Sequence, residues 1–286
     1  MAENIIISTD NYVDDSTSTL TVDSELAGLP KENLQNIQIV KVWRTGAVTS
    51  AQIDLDLGSS KILDLLAIIN HNFTITATIR FRVSSVSDFS TTQHDSGVVD
   101  VWQPVEAFGA SPWGVFTWGS KPTQAQAELF TPNTFEFIPT AVIGRYIRIN
   151  ITDSLSTDGY LQAGRLIVGP VYQPTINYSN GVEFEFIDNS RVTKSRGGQT
   201  FVDEVEKFRR ISFDLVNIPE SEIFGNIFNK MDRVKGISKD VLVIPQPNET
   251  STWLTQNIYG RISATSPIVN TALSYYGRRV EIEEMI

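Results

Sequence analysis

Apolar residues fall at every second position through much of this 286-residue chain, and that period dictates strands with one buried face. Ile53, Leu55 and Leu57 alternate with Gln52, Asp54 and Asp56, and Gly58 is expected to end that strand. Phe73, Ile75, Ala77, Ile79, Phe81 and Val83 form a second series, with Thr and Arg facing the other way. Ile147, Ile149 and Ile151 follow Tyr146 with Arg148 and Asn150 interleaved, and residues 161–168 add one more. Residues 60–70 are mostly apolar; the run is short and ends in Asn70-His71-Asn72, so it reads as a buried strand. Short strands separated by Gly, Pro, Ser and Asp argue for a β-sandwich.

That unit closes near Gly169-Pro170, and Pro174 favours extended backbone just before it in the connector from Tyr172 to Tyr178. A second unit opens with the alternating Val182-Glu-Phe-Glu-Phe-Ile, and another strand begins at Phe208. One helix is predicted at about 219–235. Pro219 suits a first turn, and Glu220 and Glu222 complement the positive end of the dipole. Ile223, Phe224, Ile227, Phe228 and Met231 form its apolar stripe, and Gly236 stops it. The expected domains are therefore 1–170 and 171–286, mainly β, without internal repeats.

Composition removes several function classes. Cysteine is absent, which excludes disulfides, zinc-thiolate sites, iron–sulfur clusters and thiol nucleophiles. A net charge of −10 argues against a nucleic-acid binder, since phosphate needs clustered Lys and Arg. Arg191-Val-Thr-Lys-Ser-Arg is a local basic patch that reads first as a solvated hairpin loop. No stretch approaches the about 20 apolar residues of a membrane span, so no membrane insertion is expected. The start, Met1-Ala-Glu-Asn, lacks the basic and apolar regions of a secretory signal, and export by that route is not expected.

No catalytic set emerges. The two histidines, His71 and His94, accompany no Gly-x-Ser-x-Gly elbow, and His71 reads as a strand-end hydrogen-bonding residue. Asp54/Asp56 and Glu183/Glu185 share strand faces by alternation, which favours solvated surfaces over a glycosidase pair set across a cleft. The loops at 10–15 and 153–159 are rich in Asp, Asn and Ser; calcium and plain turn formation both suit them, and neither is an EF-hand. Phosphate-cradling glycine motifs are missing. No catalytic, cofactor or metal residue is assigned, no cofactor is expected, and the expected class is not an enzyme. Between residues 95 and 139 the pattern turns irregular, aromatic and glycine-broken. Trp102, Trp113, Phe116 and Trp118 are the candidate contacts there for a glycan or a protein; the alternative is that they plug one end of the sandwich.

Lys31-Glu-Asn-Leu, Trp43, Asp56-Leu-Gly and Arg145-Tyr-Ile-Arg-Ile, in that order, resemble the discoidin (coagulation factor 5/8 type C) family of galactose-binding-like jelly rolls. The likeness covers about residues 10 to 170; the disulfide common in extracellular members has no counterpart here. The whole chain resembles distal tail proteins of tailed bacteriophages, which join such a sandwich to a β-rich, tail-tube-like domain. The strand–helix–strand layout of residues 208–244 carries that second likeness. It implies a virion structural protein of the tail tip or baseplate, made in the bacterial cytoplasm. It further implies assembly with itself as a ring, a hexamer by resemblance, and docking to other tail proteins. The alternative is a carbohydrate-binding module for attachment to host-surface glycans.

Overall fold

The computed structural model describes residues 4–105 and 120–286. The chain divides into two compact units, 1–173 with 244–257, and 174–243 with 258–286. Both are built mainly from antiparallel strands.

The first unit contains β1 (Ile6–Ser8), β2 (Thr19–Val22), β3 (Trp43–Arg44), β4 (Ser50–His71), β5 (Thr78–Ser84), β6 (Thr92–Asp95), β7 (Val99–Asp100), β8 (Asn133–Thr152), β9 (Gln162–Gly169) and β10 (Val171–Tyr172). β4 and β8, of 22 and 20 residues, pair along most of their length. Their register shifts between Asp56 and Lys61, a bulge that bends both strands. Before the bulge β4 lies between β2 and the second half of β8, which also carries β5. Beyond it β4 lies between β9 and the first half of β8, and β9 carries β3. The two halves close as a sandwich on one core that includes Leu34, Trp43, Ile53, Leu55, Phe81, Ile149 and Leu166. Each such buried side chain contributes about 1.5–3 kcal/mol.

Three details depart from the alternation. The strand at Gln52 does not stop at Gly58. That residue, at φ 73°, carries the chain through the bulge, where a Cβ would stand 2.9 Å from the Thr17 carbonyl oxygen. The series from Phe73 becomes a strand only at Thr78. Thr74 donates its N–H and its hydroxyl to Asp153, at 2.8 and 2.6 Å, and Ala77 closes a turn on the Thr74 carbonyl. The stretch expected to be irregular up to residue 139 is strand from Asn133 onward, with Phe135 and Ile138 buried.

The second unit contains β11 (Glu183–Ile187), β12 (Arg191–Lys194), β13 (Thr200–Asp203), β14 (Phe208–Pro219), β15 (Asp240–Ile244), β16 (Ile258–Thr265), β17 (Val269–Ala272) and β18 (Tyr275–Glu284). Its strands run β15-β16-β18-β14-β11, with β17 also along β18, while among the described residues β12 and β13 pair only with each other. One face buries Ile211, Phe213, Leu215, Ile262, Val280 and Ile282. The other carries cross-strand ion pairs, Glu183 with Arg279 and Glu185 with Arg210.

The predicted helix is one α-turn, Glu220–Glu222, followed by a π-wound segment, Ile223–Lys235. Gly236, at φ 54°, ends it and returns its N–H to the Met231 carbonyl at 2.7 Å. Ile223, Ile227 and Met231 are buried, whereas Phe224 and Phe228 stay partly exposed. Two short helices, Gln124–Ala127 and Thr250–Gln256, group with the first unit; neither has an apolar stripe at helical spacing that would mark it in the sequence.

Candidate functional site

Three connections of the sandwich meet at the end of the unit marked by His71. The link from β4 to β5 supplies Asn72, Phe73 and Thr74. The link from β8 to β9 supplies Leu155, Ser156, Thr157 and Asp158. Gln124, Glu128 and Pro132 come from the segment before β8. Together they line a cleft of about 420 Å³.

The base of the cleft is aromatic and fixed. Trp102 is buried, and its indole N–H donates to the Phe73 carbonyl at 2.9 Å. His71 stacks on Phe73 at 4.3 Å between centroids and meets Trp102 edge-on at 5.6 Å. The Phe73 N–H donates to His71 Nδ1 at 3.3 Å, which leaves Nε2 to carry the proton towards Thr134 Oγ1 at 3.0 Å. Burial pushes the His71 imidazole down to about 3, so it is neutral near pH 7. Bonded to Thr134 and to no carboxylate among the described residues, His71 is the strand-end hydrogen-bonding residue that the sequence suggests.

The rim is polar. The Asn72 side chain is held by three bonds: it donates to Asp158 Oδ2 at 2.9 Å and to the Tyr160 carbonyl at 3.2 Å, and it accepts from Gln162 N–H at 2.9 Å. It thereby fixes Asp158, whose other carboxylate oxygen has no partner among the described residues. Gln124 donates to Glu128 at 3.1 Å, and the hydroxyls of Ser156 and Thr157 make no side-chain hydrogen bond among the described residues. Buried Asp153 ties the two long loops by accepting both bonds of Thr74. Leu155, 65% exposed, gives one apolar flank. Fixed carboxylates, an amide and free hydroxyls around an apolar base can bind a hydroxylated ligand by charge-assisted hydrogen bonds.

Of the four contacts named from sequence, Trp102 belongs to this cleft as a buried wall. Trp113, Phe116 and Trp118 lie outside the described residues. The rim residues Asn72, Asp158, Ser156, Thr157, Gln124 and Glu128 were missed; Asp158 fell within the Asp/Ser-rich loop, the one signal that pointed there.

The other sequence candidates are committed elsewhere. Arg148 and Arg145 grip Asp54 and Asp56 bidentately at 2.6–3.0 Å, and the Arg145 hydrogen bonds hold the Asp56 carboxyl below the usual range. Asp14 accepts from fully buried Arg165 at 2.7 and 2.6 Å, and Asp15 pairs with Lys61. His94 meets Glu136 at 2.9 Å. Among the described residues, no three His, Cys, Asp or Glu side chains group as a metal site. Among them too, no helix is long and apolar enough to cross a membrane.

No protein-family model matches the chain, and no curated protein matches it. Among solved structures it is similar to the family 32 carbohydrate-binding module of Clostridium perfringens NanJ in complex with galactose: 14% identity, 57% of this chain and 98% of that one, TM-score 0.37. It is also similar to CpGH89CBM32-5 from Clostridium perfringens in complex with GalNAc-beta-1,3-galactose: 10% identity, 56% of this chain and 100% of that one, TM-score 0.37. Chitosan-binding module 1 of a chitosanase/glucanase from Paenibacillus sp. IK-5 gives 16% identity, 56% and 99% coverage, and TM-score 0.37. All three are carbohydrate-binding modules, and none is a tail-tip protein.

Proposed function

We propose that the chain is a non-enzymatic recognition protein whose first unit binds a glycan in the cleft at the His71 end of the sandwich. The observation that carries this reading is the rim: Asn72 holds Asp158 in place, and Asp158, Ser156 and Thr157 keep hydrogen-bonding capacity beside apolar Leu155. A pyranose presents hydroxyls along its edge and C–H groups on its face, and this rim offers a partner for each. His71 is buried and neutral near pH 7 and turned to Thr134, which suits the cleft to binding.

Galactose and GalNAc-beta-1,3-galactose are the first probes, followed by a glycan array. Asp158→Ala is expected to weaken the best ligand about tenfold or more, or ~1.4 kcal/mol, with an unchanged melting temperature. Asn72→Ala is expected to weaken it through the lost positioning of Asp158. An array without a single retained glycan, or retention unaltered in both variants, removes this reading.

A second reading is assembly as a structural component of a phage tail tip, docking other tail proteins, located in the virion. One feature of the second unit favours it: the edge strand β11 and the β12–β13 hairpin expose large apolar side chains, among them Phe184, Phe186 and Phe201. Mass spectrometry of purified particles tests it. The chain should be present in stoichiometric amounts, and its absence from them rejects the reading.

A further inference from the structure

The β12–β13 hairpin is unfinished as a folded element. Every residue of both strands is exposed, and the pair joins no third strand among the described residues. A two-stranded hairpin is marginal in water without a third strand or a packed face. This one also carries apolar side chains that nothing in its unit covers: Val192, Phe201, Val202 and Val205 are between 47% and 61% exposed. Val192 and Val202 stand opposite each other on one face, and Phe201 lies opposite Thr193 on the other. Beside it, β11 forms the edge of the main sheet, with Phe184 and Phe186 exposed as well.

The charges along the hairpin are sorted by end. Lys194 and Arg196 lie at the tip, around a turn closed by Ser195 and Gln199. Asp203, Glu204 and Glu206 lie at the root. Asp188 and Lys207, also at the root, pair with each other at 3.3 Å, and Arg191 faces Asp203 in register. Among the described residues, Lys194, Arg196, Asp203, Glu204 and Glu206 make no ion pair. The hairpin therefore keeps a free positive tip and a free negative root.

We propose that the occupant of this surface is the hairpin of a second copy of the same chain, laid antiparallel so that each tip meets the other's root. A copy of itself is the partner that necessarily carries the complement of this charge pattern, and a two-fold contact uses it twice. Val192 and Val202 of the two hairpins then cover one another, and two strands become four. The inference rests on the assembly reading and names its partner; it is independent of the cleft.

Native mass spectrometry and sedimentation at low ionic strength test it on the full chain. The wild type is expected at about twice its 31.8 kDa and to dissociate as salt rises. Lys194→Glu with Arg196→Glu gives two negative ends, and Asp203→Lys with Glu204→Lys and Glu206→Lys gives two positive ends. Each variant is expected to be monomeric with an unaltered melting curve, and an equimolar mixture of the two is expected to regain the dimer mass. Misfolding would not produce that rescue. A monomeric wild type at tens of micromolar overturns the proposal, and if another tail protein then binds it, the assembly reading survives with a different partner. Self-association untouched by both charge variants also overturns it.

Discussion

His71 refuses a proton because its imidazole is enclosed by Phe73, Trp102 and Thr134, where a cation would lose its hydration. Its folded value of about 3 lies below the ordinary 6.5, so between these values the unfolded chain takes up a proton that the folded chain does not. The sign follows directly: the stability is complete above pH 6.5 and is lost as the pH falls towards 3. By pH 5 the loss is about 2 kcal/mol. Urea midpoints at pH 7 and pH 5 should show that drop in the wild type, with a shallower one in His71→Gln, which has no imidazole to titrate. Sequence reasoning found His71 and rejected it as a catalyst, because rarity and a strand-end position are visible in a string of letters. It did not find Asp158 as a cleft residue, since its role depends on Asn72, 86 positions away and brought 2.9 Å from it only by the fold.

At the level of whole elements, alternation located the strands but not where they bend. β4 looks like two strands parted by Gly58, and it is one strand because a residue at φ 73° continues the chain through a bulge. Gly58→Ala is therefore expected to cost about 2 kcal/mol or more, combining the left-handed backbone penalty with a Cβ pressed on the Thr17 carbonyl. A lowered urea midpoint with an unchanged far-ultraviolet spectrum checks it. The segment Ile223–Lys235 was legible as a helix from its apolar stripe, yet its π winding was not, because i→i+5 bonding leaves no separate mark on residue spacing. Its attachment is also a long-range fact. Asp232 on that segment takes both of its 2.6 Å bonds from Arg278 of β18, whose side chain is fully buried. Asp232→Ala strands that guanidinium and is expected to destabilise the second unit by about 3–5 kcal/mol. Hydrogen exchange should show the loss in β14, β16 and β18.

For the whole molecule, the two proposals make one joint demand. A single shallow cleft with a polar rim binds a sugar weakly, because much of its hydrogen bonding replaces bonds to water. Two clefts carried by a self-paired chain turn the second contact into an intramolecular one, and avidity of 10²–10⁴ over one site is typical where the geometry allows both to engage. The chain has no cysteine to lock a dimer covalently, so this pairing depends on apolar contact and charge, and salt weakens its charge component. The Lys194→Glu and Arg196→Glu variant separates the two effects. Its affinity for a free oligosaccharide in solution should equal that of the wild type, since the cleft residues are untouched. On a surface dense in the same glycan, its dissociation should be faster by about 10² or more. Adding the complementary variant with lysines at 203, 204 and 206 should restore slow dissociation. Equal retention of wild type and variant on that surface would mean that the hairpin contributes nothing to recognition, whatever it does in assembly.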